Sequence, residues 1–405
     1  MSATSIVAVG NSDVEDSRKA GQEIATRALE SLETRCEPSW VLAFCGGHHD
    51  PGDFLRGLRA TLGDVPVVGG AAIGSITNSE SGYSGFECAA AVFSDSVPLP
   101  WILTESTADG DEYGAGRRLG SKLREATGDS DSVLLFYDTL YSVGPPPELH
   151  VGSRLMAGIH EGLDGTALNL IGAGLLSDHQ FSDSFLFDGR GVVRHSVLAV
   201  SVPSGLDTRS VIMHGCVPIS GFHEITSIDG AIVHELGGRS ALEVLTTGGF
   251  SPEALTLNCT LGCKHGDPFG PDDEAKFVNR LIIGYNKQEG WIRLFEADFK
   301  RGDMVQIMSR SNELMMESAI RNVRWLVESM EGTETVFALY IDCAGRASAI
   351  CASETEEADV VREHLGDAIP LLGFYSGIEI APIAGLSRPL DWTGVLTVFC
   401  RASDG

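Results

Sequence analysis

The chain has 405 residues, 43% of them hydrophobic, with 29 basic and 56 acidic residues and a formal charge of −27. That length and apolar content support two or three cored domains, and the acidic surface excludes nucleic acid and anionic membrane as partners. No run of about 18 apolar residues is present, so no membrane span is expected. The N-terminus, MSATSIVAVGNSDVEDSRKAG, has no basic stretch before its short apolar run and does not read as a signal peptide. Nine cysteines, an odd number without framework spacing, point to reduced thiols in a cytoplasm.

Residues 1–37 read as a strand and helix leading in. Three echoing units follow, each a β-rich run, a short amphipathic helix, an apolar run ending in glycine, a glycine-containing loop and a returning β-rich run. The first starts at WVLAFCGG (40–47), carries Phe54, Leu55, Leu58 and Leu62 on its helix, turns through VPVVGG and returns at 86–94. The second starts at SVLLFYDTL (132–140), carries Leu155, Met156, Ile159 and Leu163, turns through LNLIGAG and returns at 192–202. The third starts at VFALYIDCAGR (336–346), carries Val361, Leu365 and Ile369, turns through IPLLG and returns at 393–400. Helices this short need a sheet to pack on, and returning strands without a helix imply antiparallel pairing. The expected class is therefore α+β, with mixed, largely antiparallel sheets flanked by short amphipathic helices.

Between the second and third units, 214–236 reads as strands with turns at Gly221 and Asp229-Gly230, and 238–248 as a helix. The proline-containing stretch 249–273 reads as a turn-rich junction between domains 38–248 and 274–402. Residues 279–311 read as three strands. A helix over 312–331 has Asn312 as its cap and Met316, Ile320, Val323 and Val327 on one face.

Candidate chemistry concentrates late in the chain. Gly373 follows a strand and permits close backbone approach; Phe374 and Tyr375 offer flat walls, and Ser376 and Glu379 can accept from an ammonium group. The competing reading is a structural turn whose aromatics fill a core and whose Glu379 is exposed. Arg346, in a glycine turn after Cys343, is a natural bidentate partner for a carboxylate, with Arg280 as a second candidate. Arg346 and Glu379 together suit a zwitterion, with Trp392 nearby; the alternatives are a surface ion pair for Arg346 and a small buried hydrophobe for Cys343. Cys259-x-x-x-Cys263-x-His265 lacks a fourth zinc ligand and reads as unligated thiols in a boundary loop. His48 and His49 in CGGHHD are candidates for ligating haem iron or a metal, against exposed loop histidines. Gly114-x-Gly116-x-x-x-Gly120 breaks nucleotide-loop spacing and reads as a helix entry. No nucleophile elbow or phosphate loop appears, so an enzyme with Cys343 as nucleophile is the weaker class.

The motifs VPVVGGAAIGSI (65–76), VHELGGRSALEVL (233–245), NRLIIG (279–284), ALYIDCAGR (338–346), PLLGFYSGIEIAP (370–382) and DWTGVLTVF (391–399) resemble FIST domains, with an N-terminal and a C-terminal half. The resemblance implies an intracellular sensory protein for amino acids or their derivatives, signalling through a separate histidine kinase or cyclase. Some stand-alone members resemble haem-binding nitric oxide sensors, so haem is a possible cofactor. The resemblance adds Gly69, Gly70, Gly74 and Thr393 to the ligand-binding set. Two departures stand out: Ser75 replaces the glutamate of the first Gly-Glu-Ile, and Ile378 replaces the glycine before Glu379.

Overall fold

Three repeats of one strand–helix pattern build most of the protein, in a computed structural model that describes residues 5–33, 36–127 and 132–401. The first repeat runs through strand Val7–Ser12, α1 (Ser17–Ser31), strand Pro38–Gly46, α2 (Pro51–Leu62), strand Val67–Ala72, a hairpin of Ser75–Thr77 and Ser81–Gly82, and strand Cys88–Ser94. The second repeats that order: Ile102–Ser106, α3 (Glu112–Ala126), Ser132–Asp138, α4 (Gly152–Leu163), Asn169–Leu175, a hairpin of Leu186–Gly189 and Val192–Val193, and Ser196–Ser201. Each repeat thus begins one strand and one helix earlier than the echo visible in the sequence.

The third repeat opens with Leu206–Met213 and is then interrupted. The insertion holds α5 (Ala241–Thr247), α6 (Pro252–Asn258) and a ring of strands. Cys259–Lys264 pairs with Phe277–Tyr285 on one side and Met304–Ser309 on the other. His223–Asp229, Ile232–Leu236 and Ile292–Leu294 close the ring. A closed barrel has no free edge, and Leu261, Ile282, Ile292, Val305 and Ile307 fill it. The expected Asp229-Gly230 turn joins two of its strands, with Gly230 at φ 55°.

Residues 249–273 are therefore no linker. They supply α6 and the Cys259–Lys264 strand, and Cys259 is buried in the barrel core. Lys264 clamps the following loop, donating to Gly270 O at 2.7 Å and Asp272 at 2.8 Å. Among the described residues, no group of three or more His, Cys, Asp or Glu is placed to hold a metal.

The third repeat resumes with α7 (Asn312–Ser329), Thr335–Cys343, the short α8 (Ser348–Cys351), α9 (Glu357–Leu365), Leu371–Ser376, a hairpin of Ile378–Ile383 and Leu386–Leu390, and Gly394–Arg401. Ser311, not Asn312, caps α7. Its buried face is Met315, Ser318, Ala319, Val323 and Leu326, rotated from the expected stripe. Small Ser318 and Ala319 let the helix lie close to its neighbours, and Met316, Ile320 and Val327 are left only partly covered. The faces expected for α2 and α4 are the buried ones.

Each repeat forms a four-stranded sheet with one parallel pair, Val41↔Val67, Leu135↔Gly172 or Tyr340↔Gly373, and antiparallel neighbours. Each then gives its hairpin away. The first repeat's hairpin pairs with Leu371–Ser376, the second's with Val67–Ala72 and the third's with Asn169–Leu175. The exchange is cyclic. Ile76 faces Gly373 and Ile380 faces Gly172, so Ser75 and Glu379 hold equivalent register positions.

The outer face of each sheet is covered by a helix pair. Gly116 and Gly120 belong to such a pair: a Cβ at either would meet a backbone oxygen of α4 at 2.2 Å, and Gly158 and Gly162 of α4 return the approach. The three inner faces meet in one core. Phe44, Phe136 and Phe374, one from each sheet, gather there, with Phe44 and Phe374 stacked at 3.8 Å.

Candidate functional site

Gly373 to Glu379 is not a loop. Gly373 to Ser376 complete one strand, Gly377 makes the turn, and Glu379 lies within the next strand. Alternation then decides each side chain. Phe374 points to the central core, so it is a packing residue rather than a ligand wall. Tyr375 points to the outer layer and donates to Glu356 Oε1 at 3.0 Å, edge-on to Tyr83. Gly373 sits against Tyr340 of the parallel partner.

Ser376 and Glu379 are fully buried. The Ser376 hydroxyl lies 3.1 Å from the Asp342 carbonyl and 2.8 Å from Glu379 Oε1, while Glu379 Oε2 accepts from the Thr393 amide at 3.3 Å. One hydroxyl proton cannot serve both oxygens. Burial pushes the Glu379 carboxyl well above its ordinary value. A protonated acid would donate to Ser376 Oγ and leave the Ser376 proton for the Asp342 carbonyl. Glutamine reproduces that pattern, so Glu379→Gln is expected to change stability by less than about 1 kcal/mol. Glu379→Ala, which orphans buried partners, should cost about 2–3 kcal/mol. Urea unfolding of both variants checks this: equal losses would contradict a protonated Glu379.

Arg346 is also fully buried. Its Nε donates to Glu357 Oε2 at 2.8 Å and a second nitrogen to Glu357 Oε1. A third donates to Trp392 O at 2.9 Å, and Asp342 lies at 3.3 Å. Burial works against the charged guanidinium, but Glu357 and Asp342 outweigh it and raise its pKa. Arg280 repeats the logic, with Asp298 at 2.7 and 2.6 Å and Asp391 at 3.3 Å. Both arginines are occupied by internal carboxylates, which corrects the expectation of an open carboxylate receptor or a surface pair. Cys343 is buried at the end of its strand, and burial, then Glu379, hold its thiol well above the normal range. Such a thiol is a poor nucleophile.

A third arginine differs from these two. Arg310 follows the last barrel strand and is 5% exposed. Its guanidinium carbon stands over the Trp392 ring, 3.9 Å from the centroid, and one of its nitrogens donates to the Thr256 carbonyl. Its Nε has no hydrogen-bond partner, and among the described residues no carboxylate pairs with it. Burial accordingly lowers its pKa, opposite to Arg280 and Arg346. Trp392 holds a left-handed backbone, φ 56°, and its indole nitrogen is also unpartnered. Arg346 stands 5.9 Å from the same ring.

Arg310 and Trp392 line a cleft of about 630 Å³ between the barrel, the start of α7 and the Cys343–Arg346 turn, which contributes Gly345. Pockets of roughly 300–1,000 Å³ hold small molecules. The expected residues Cys343, Arg346, Ser376, Glu379, Trp392 and Thr393 thus form one network behind this cleft, and Arg280 joins it through Asp391. Gly74 reaches the network's edge, where its carbonyl accepts from the Tyr375 amide at 3.2 Å. Gly69 and Gly70 lie elsewhere, in the first sheet beside the second repeat's hairpin. His49 is buried, with its ring nitrogens held by Ser17 Oγ at 3.2 Å and Phe86 O at 2.8 Å, and His48 is exposed. Arg310 escaped the sequence reading because an arginine between a strand and a helix cap carries no motif.

The family profile for the FIST N domain matches residues 39–239, and that for the FIST C domain matches residues 242–382. The chain belongs to the FIST family. FIST domains are sensory rather than catalytic, which places this FIST protein in signal transduction. The two matched segments meet inside the barrel insertion, so the first leaves out the opening strand and helix of the first repeat, covers the whole second repeat of the FIST protein and takes in only part of the third. An uncharacterized protein of Mycobacterium tuberculosis strain H37Rv is 26% identical over 408 residues, covering 97% of this chain and 99% of the relative. An uncharacterized Mycobacterium bovis protein is 27% identical over 268 residues, covering 64% of this chain and 67% of the relative. A crystal structure of cyanuric acid hydrolase from A. caulinodans overlaps 98% of this chain and 99% of its own at 10% identity and TM-score 0.38. A chorismatase structure overlaps 90% and 93% at 10% identity and TM-score 0.33. Overlaps of that quality transfer neither fold nor activity. No described helix is long and apolar enough to cross a membrane.

Proposed function

We propose that this FIST protein senses a small carboxylate ligand, an amino acid or a derivative of one, in the Arg310–Trp392 cleft. The observation that carries this reading is the Arg310 guanidinium, without a carboxylate partner among the described residues, beside an open cavity. The other two buried arginines at this junction, Arg280 and Arg346, have internal carboxylate partners, so Arg310 is the one of the three whose burial a ligand carboxylate would offset.

The cleft also suits a sensor mechanically. Asp391 pairs with Arg280 of the barrel, Trp392 walls the cleft, and the Thr393 amide donates to Glu379 in the sheets. A ligand on Arg310 and Trp392 touches barrel and third repeat together, so it favours one packing of the two over others. A separate partner, a histidine kinase or cyclase, reads that change. Calorimetric titration and thermal shift with a panel of amino acids and their derivatives test the reading. The wild-type chain should bind a carboxylate ligand, and Arg310→Ala should weaken that binding tenfold or more; equal binding by both proteins would remove the site.

A further inference from the structure

The walls of the cleft say more about its occupant than the arginine does. Leu257, Ile283 and Ile350 line it with Leu281, and the first three are 69%, 49% and 50% exposed. Scattered apolar side chains on a surface mean little, but three around one opening form a patch that a ligand can cover. Covering it stabilises a complex by about 25 cal/mol per Å² of apolar surface.

The countercharge for an amine is missing from the same place. Glu357 and Asp342 are taken by Arg346, and Asp298 and Asp391 by Arg280. Glu379 lies behind Trp392 in its hydrogen bonds to Ser376 and Thr393. The cleft's own carboxylate is Glu313, which is exposed at the start of α7, where water screens it. An ammonium group bound here would lose water beside the cationic Arg310 and gain only that screened partner. Trp392, by contrast, adds an aromatic face and an indole N–H that lacks an acceptor.

We infer that the ligand is a monocarboxylate with an apolar tail and no free amine: the carboxylate sits on Arg310, and an alkyl chain or ring lies against Leu257, Leu281, Ile283 and Ile350. This rests on the proposed sensing site and narrows its ligand to deaminated or N-blocked derivatives of apolar amino acids, and acids like them.

Three probes that differ by one group each separate the possibilities. 3-Phenylpropanoate has the carboxylate and the ring, phenylalanine adds the amine, and phenethylamine keeps ring and amine without the acid. Calorimetric titration of the full chain should show 3-phenylpropanoate binding at least tenfold more tightly than phenylalanine, and no binding of phenethylamine. Ile283→Asn changes an exposed side chain and should leave the fold intact. It should weaken 3-phenylpropanoate about fivefold or more, with acetate unaffected. Phenylalanine binding as well as or better than 3-phenylpropanoate would overturn the inference and leave the carboxylate site standing. If neither acid binds, or if Arg310→Ala binds both as wild type does, the sensing site falls and the inference with it.

Discussion

Arg346→Ala is expected to lower stability by about 3–5 kcal/mol, because it leaves Glu357 and Asp342 buried without their cation. Both carboxylates are 0% exposed, so water cannot reach them to compensate. The Trp392 carbonyl loses its donor as well. Arg310→Ala provides the contrast. It removes a stacking contact and one hydrogen bond but strands no carboxylate, so its cost should stay near 1 kcal/mol. Urea unfolding of the two variants reads the difference directly. Similar losses for both would mean that Arg310 has a structural partner after all, and would weaken its assignment to a ligand.

Gly172→Ala should cost about 3 kcal/mol or more, and more than Gly373→Ala. Gly69, Gly172 and Gly373 occupy one position in the three sheets, each opposite a residue of the parallel neighbour strand. A Cβ at Gly172 would stand 1.7 Å from Leu135 O, whereas one at Gly373 would stand 2.7 Å from Tyr340 O. In both cases backbone must move, and in a close-packed interior that movement spreads to neighbours. Circular-dichroism melting of both variants checks the order. A Gly373→Ala loss equal to or larger than that of Gly172→Ala would contradict it.

The helices were legible in the sequence because apolar spacing needs only local information. Leu155, Met156, Ile159 and Leu163 identify their own buried face. The threefold echo was legible for the same reason, as was the likeness of GAAIGSI to YSGIEIA, now seen as one register position in two sheets. The exchange of hairpins was not. Ser75–Thr77 pairs with Leu371–Ser376 across almost three hundred positions, and a strand of three residues records nothing of its partner. The insertion hid for a related reason: barrel strands and sheet strands have the same period. In the site, residue types picked out groups that the fold gathers into one network, but not the partners that each of them holds. A buried arginine with carboxylates and one without look identical in a sequence, and only their surroundings separate Arg346 from Arg310.

The cyclic gift of hairpins also fixes the order in which the molecule can be finished. The first sheet lacks its outer strands until residue 193 has been made, and the second until residue 390. The hairpin at Ser75–Gly82 is made early, yet it has no sheet to join until Leu371–Ser376 emerges. During synthesis it waits as an unpaired edge, open to wrong partners. A nascent chain of two repeats has thus made one of the three exchanges and holds two open, and the ring's closure belongs to the last stage of translation.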